Sequence, residues 1–129
     1  MSIEINARRR KLESKLTFHV ERRPYFLLVA IRGEASYDQA EVISAELRRI
    51  SLDGYSMVVF NLAEMTSISS LVMGALVEYR RGLVRRDVEV RLANVQPQVW
   101  LALAWAGLWN LFEPITLEAP TQPAATAGA

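Results

Sequence analysis

The sequence predicts one α/β domain, a mixed sheet of roughly four to five strands with helices packed mainly on one face. Two observations carry this. Short apolar runs with β-branched residues, Tyr25–Ile31 and Met57–Phe60, read as strands buried on both faces. Segments with apolar residues at helical spacing alternate with such runs after two opening strands, and right-handed crossovers place the two long helices on the same face.

The bounds on the chain are narrow. Its 129 residues, 51% of them apolar, suit one domain with a real core. A formal net charge of +1 supplies no field for nucleic acid or an anionic membrane surface. With no cysteine and a single histidine, His19, disulfides, thiolate chemistry and a metal centre are not expected, and no cofactor is implied. The longest apolar run, Val99 to Ala106, falls far short of the roughly 20 residues that span a bilayer, and the amino terminus lacks a signal peptide's apolar stretch. The expectation is a cytoplasmic protein with no membrane insertion.

Taken in order, residues 1–15 hold Arg8-Arg9-Arg10-Lys11 and few large apolar side chains, and read as a flexible basic leader. The domain is expected over 16–118. Leu16 to Arg22 alternates, Phe18 and Val20 on one face and Thr17, His19 and Glu21 on the other, as an edge strand does. Pro24 marks a turn into the strand Tyr25–Ile31, which Gly33 is expected to end. Ser36 and Gln39 have the spacing of a capping box, so a helix is predicted from Tyr37, with Ala40, Ile43, Leu47 and Ile50 on one face. Asp53-Gly54 turns the chain into the strand Met57–Phe60.

A polar loop follows, and a second helix is expected from Ser69 to about Arg86 with Val72, Leu76, Tyr79 and Leu83 along one face. Val88, Val90 and Leu92 alternate with charged residues as a further strand. Pro97 suits the first position of a third helix, and Gly107 its end. Phe112, Ile115 and Leu117 read as a short last strand interrupted by Pro114. From 119 to 129 the small, proline-bearing sequence reads as a disordered tail.

The stretch from Met57 to Val77 organises the rest. A buried strand, a loop and a helix opening on Ser69-Ser70 leave backbone N–H groups at the positive end of the helix, which suits a serine cap or a phosphate. Here the residues resemble the STAS domains, typified by bacterial anti-sigma factor antagonists. Ile68-Ser69-Ser70-Leu71-Val72-Met73-Gly74 lies over that family's Asp-Ser-Ser-Gly-Leu helix opening, and Asn61 takes the place of its strand-end aspartate. Gly33-Glu34-Ala35-Ser36 is similar to the family's Gly-Glu-Leu-Asp, and Leu92 to Leu108 to its third-helix segment.

The resemblance implies a non-enzymatic regulatory module that binds an anti-sigma factor or a kinase-like switch protein through Thr66, Ser67, Ser69, Ser70 and Met73. It implies control by serine phosphorylation, but in its register the usual acceptor position is Leu71. Ser70 and Ser69 are the remaining phosphoacceptor candidates; read without the resemblance they cap the helix, and alanine at Ser70 is expected to remove that cap. The alternative is a phosphorylation-independent scaffold subunit of a larger assembly, such as a lipid-transport ATPase or a stress-signalling complex.

No catalytic residues are predicted, because the lone His19 sits on an edge strand without a nucleophile motif and no glycine-rich phosphate loop is present. The third helix is apolar all round, so part of it needs cover. Trp105 is expected at the edge of the core, with Trp100 and Trp109 forming a second interface for a partner or a homodimer.

Overall fold

The structure is a computed structural model and describes residues 16–117; the expected leader over 1–15 and tail over 119–129 lie outside the described residues. Five strands form one mixed sheet: β1 (Leu16–Arg22), β2 (Leu27–Ala35), β3 (Met57–Asn61), β4 (Met65–Ile68) and β5 (Glu89–Ala93). β1 is antiparallel to β2, with Leu16 opposite Gly33 and Arg22 opposite Leu27. β2, β3 and β5 run parallel in that order, and β4 pairs in parallel with the far end of β2. The helices are α1 (Ala40–Arg48), α2 (Ser70–Val84) and α3 (Pro97–Trp105).

Strand alternation sorts the apolar residues into two unequal layers. On one face Leu27, Val29, Val58, Phe60 and Leu92 join Ile43 and Leu47 of α1, Leu76 and Leu83 of α2, and Val99 and Leu103 of α3 in one cluster. Each such side chain, taken fully out of water, contributes about 1.5–3 kcal/mol. The other face has only Leu28, Val59 and Ala93 buried, under Phe26, Met57, Ile115 and Leu117.

Several elements differ from expectation for local reasons. Gly33 does not end β2; with φ of 115° it carries an irregularity in the pairing with β4, and the strand runs on to Ala35. β4 was legible only as loop because Thr66 and Ser67 are polar, yet Met65 is buried and the backbone pairs with β2. The Ser36–Gln39 box does not form: Tyr37–Gln39 is a 3-10 turn, and the Ser36 hydroxyl donates to Asp38 Oδ1 at 2.7 Å. Gln39 instead turns inward, one and two helical turns before Ile43 and Leu47 on the same face, with neither side-chain polar atom hydrogen-bonded. The segment after α3 makes only a parallel bridge from Ile115 to Ala93, next to a proline that cannot donate.

The turns hold as expected. Asp53 and Gly54 take φ of 50° and 84°, and Asp53 pairs with Arg22. Gly107, at φ 74°, ends α3 in a doubly bonded cap: its N–H donates to Ala104 O at 3.0 Å and that of Leu108 to Leu103 O at 3.0 Å. The same arrangement ends α2, with Asp87 at φ 61° in the left-handed position and Val88 N donating to Leu83 O.

α3 is turned differently from expectation. Val99 and Leu103 face the sheet, and Trp105 is exposed. At about 100° per residue, Trp100 then falls at the edge of the buried stripe and Trp105 about 140° from its centre. The core assignment for Trp105 is therefore overturned; from Val99 to Trp105 the helix carries no polar residue to fix its rotation, which is set by the fit of Val99 and Leu103 against the sheet together with the bond from Gln98 Nε2 to Thr66 O.

Candidate functional site

The start of α2 is assembled by the paired ends of β2 and β4. Ala35 lies opposite Ile68, and Ser69 N donates to Ala35 O at 2.9 Å, so the helix leaves the sheet from a fixed point. Gly33 N donates to Glu64 O at 2.8 Å, which ties the loop before β4 to the same strand. Ser69 is extended, with φ of −90° and ψ of 164°, and its Oγ accepts from Val72 N at 3.3 Å. Ser69 is thus the N-cap, and Ser70 is the first helical residue, exposed to solvent. This corrects the expectation that Ser70 carries the cap; the phase is set by the bond from Ser69 N to β2, which leaves Ser69 the last extended residue.

Next to it, the loop that follows β3 is pinned by amides. Asn61 Oδ1 accepts from Ala63 N at 3.1 Å and from Asn94 Nδ2 at 3.3 Å. Gln96 Nε2 donates to Ala63 O at 2.6 Å, and Gln98 Nε2 to Thr66 O at 3.2 Å. Asn94 is held at φ 56° and its Oδ1 accepts from Leu117 N at 3.0 Å. The neutral Asn61 therefore joins its own loop to Asn94, which in turn holds Leu117; a carboxylate at 61 would lack the amide's donor but accept the same bonds.

Of the residues expected to bind a partner, Thr66, Ser67 and Ser70 are exposed and Ser69 is half-buried beneath them. Met73 is buried in the main core, so it anchors the helix from below and offers no outer surface. Two large exposed side chains beside these hydroxyls were not among the expected contacts. Leu71 projects from the first turn of α2, 57% exposed, and Tyr37, 71% exposed, stands two residues after Ala35, the end of β2 that pairs with Ile68. The signal for Leu71 was in the sequence, since it precedes the buried Val72 and lies off the Val72–Leu76–Leu83 stripe.

Trp100 and Trp109 are brought together, ring centroids 4.2 Å apart and planes at 57°. Trp100 is half-buried against the main core, so it is not free surface in the way Trp105 is.

The arrangement offers surface chemistry. Hydroxyls at the positive end of a helix accept a phosphate favourably, and the flanking Leu71 and Tyr37 supply apolar contact. A cleft of about 420 Å³ lies elsewhere, between the carboxyl ends of α1 and α2, lined among others by Leu47, Arg48, Tyr79, Leu83 and Arg86. Its lining on α2 runs from Ala75 to Leu83, about 8 to 20 Å along the helix from Ser70. Burial raises the Tyr79 phenol above 10.0, with the Arg86 guanidinium opposing the rise. Among the described residues no group of three or more His, Cys, Asp or Glu side chains could hold a metal ion, and no helix is long and apolar enough to cross a membrane.

Residues 17–120 match the STAS domain profile. No curated protein sequence matches the chain. Among solved structures, the anti-sigma factor antagonist SpoIIAA in its unphosphorylated form is 16% identical with a TM-score of 0.66, covering 88% of this chain and 98% of its own. An anti-sigma factor antagonist from Mycobacterium paratuberculosis is 18% identical with a TM-score of 0.68, covering 88% and 92%. A sulfate transporter family protein from Wolinella succinogenes is 18% identical with a TM-score of 0.59, covering 68% and 71%. The matched profile spans all but the first residue of the described fold, including the serine-capped start of α2, and the chain belongs to the STAS domain family.

Proposed function

We propose that this protein is a non-enzymatic, cytoplasmic binding module of the anti-sigma factor antagonist kind, acting on transcription by docking an anti-sigma factor or a kinase-like switch protein at the start of α2. The observation that carries the reading is the exposed group Thr66, Ser67, Ser70 and Leu71 around a helix start whose backbone is fixed by the β2–β4 pair. Likeness of fold to two anti-sigma factor antagonists supports the class of partner. Leu71 packs in the contact, and Ser70 is the hydroxyl where a phosphate would reverse binding by placing close to two negative charges in an apolar interface.

The test is recovery of the partner from the source cell on wild-type, Ser70→Asp and Leu71→Asp chains. An anti-sigma factor or serine kinase retained by the wild type and lost on both variants supports the proposal; equal retention on all three places the contact elsewhere. Phosphate found by mass spectrometry at Ser70 or Ser69 supports the regulated form.

A second reading, a phosphorylation-independent scaffold subunit, is favoured by Leu71 standing at the family's usual acceptor position. Co-purification with a transport ATPase or stress-signalling assembly, with no phosphate on any serine, would decide for it.

A further inference from the structure

The outward side of α3 is an exposed apolar face that the α2 surface leaves unused. Between Arg91 and Glu113 no residue carries a charge, in a chain of which 22% is charged. Around the helix, moving away from the buried Val99–Leu103 stripe, the side chains run Trp100, Ala104, Leu101, Trp105. Trp105 is 84% exposed, Leu101 54%, and Trp109, tilted against Trp100, 43%. Leu101 and Trp105 are one turn apart and project as a pair; Ala104 beside them is a recess, because an alanine leaves the helix backbone uncovered.

We infer that two copies of this chain associate through this face, α3 against α3. Three observations favour a second copy as the occupant. A surface without charge meets its own image with no like-charge repulsion and no charge to desolvate, whereas a partner that presents charge there would lose hydration with nothing to pair against. The face carries both projections and a recess, so a two-fold axis can set Trp105 and Leu101 of each copy against the Ala104 recess of the other. Residues 118–129 make a poor cover for it, since none of them is a valine, isoleucine, leucine, methionine or aromatic residue.

The size of the patch sets the strength. With up to about 250 Å² per aromatic side chain, the exposed parts of Trp105, Leu101 and Trp109 amount to on the order of 400–500 Å² per copy. A symmetric pair then buries close to ~1,000 Å², the lower limit for specific association. The dimer is weak and concentration-dependent, with a dissociation constant on the order of tens of micromolar. It uses a surface other than the α2 start, so each copy keeps its Ser70 site.

Sedimentation of the full chain over a concentration series tests this, with Trp105→Arg and Ser70→Asp run beside the wild type. The expected result is a monomer–dimer equilibrium that holds or tightens as salt is raised. Trp105→Arg should weaken it at least about tenfold while shifting the melting temperature by no more than about 2 °C; Ser70→Asp should leave it unchanged. A wild type that stays monomeric throughout overturns the inference. A dimer that survives Trp105→Arg, or dissolves with salt, places the interface elsewhere and equally overturns it.

Discussion

Trp109 rests on Trp100 at a centroid distance of 4.2 Å, and this pair closes one flank of α3 while Trp105 is left on the opposite side in solvent. The three tryptophans therefore have three different roles: Trp100 is packed, Trp109 covers it, and Trp105 touches little among the described residues.

Substitution should separate these roles. Leu103→Ala is expected to cost about 2–5 kcal/mol because Leu103 is buried beside Val99. Trp105→Ala should stay within about 0.5 kcal/mol. Thermal or urea melts of both variants check this, and a Trp105→Ala loss as large as that of Leu103→Ala would mean that α3 is turned the other way.

The two serines at the start of α2 should likewise part. Ser69→Ala loses the acceptor for Val72 N and is expected to cost on the order of 1 kcal/mol. Ser70→Ala should be nearly neutral, since Ser70 is exposed and is not the cap. Equal losses in denaturant melts would show that the capping phase is shared.

Gln39 is a polar residue in an apolar stripe. Its Oε1 and Nε2 lack hydrogen bonds at full burial, on the same face as Ile43 and Leu47. Gln39→Met, close in shape, should stabilise the fold by about 1–3 kcal/mol by removing that desolvation cost. A destabilised variant would reveal a partner for the amide.

Tyr79 supplies a pH signature. Its hydroxyl is half-buried, its ring packs 5.8 Å from that of Phe60, and burial raises its pKa above 10.0. The unfolded chain releases this proton first as pH rises, so stability is unaffected below about pH 10 and falls as pH climbs from there toward the folded value. Tyr79→Phe keeps the ring contact and should lose less stability between pH 9 and 11 than the wild type does, about neutral conditions as reference. Parallel pH slopes for the two chains would show that Tyr79 ionises equally in both states.

The order of strands and helices was written in the sequence because it depends on local patterning. β1 shows a period of two, β3 a continuous apolar run and α2 a helical stripe beginning on serine, and each element lies where its pattern placed it. The serine-rich helix start was legible for the same reason. Tertiary structure decided what local patterns leave degenerate. β4 depends on pairing with the bulged end of β2, since Thr66 and Ser67 have no strand pattern of their own. Ser69 rather than Ser70 became the cap because its N–H is bonded to Ala35 O, a contact across 34 positions that neighbouring residues do not encode. The rotation of α3 was the least determined. From Val99 on, apolar residues on every side gain hydrophobic free energy in any orientation, so the shape fit of Val99 and Leu103 against the sheet, with the bond from Gln98 Nε2 to Thr66 O, buried those two and left Trp105 in water.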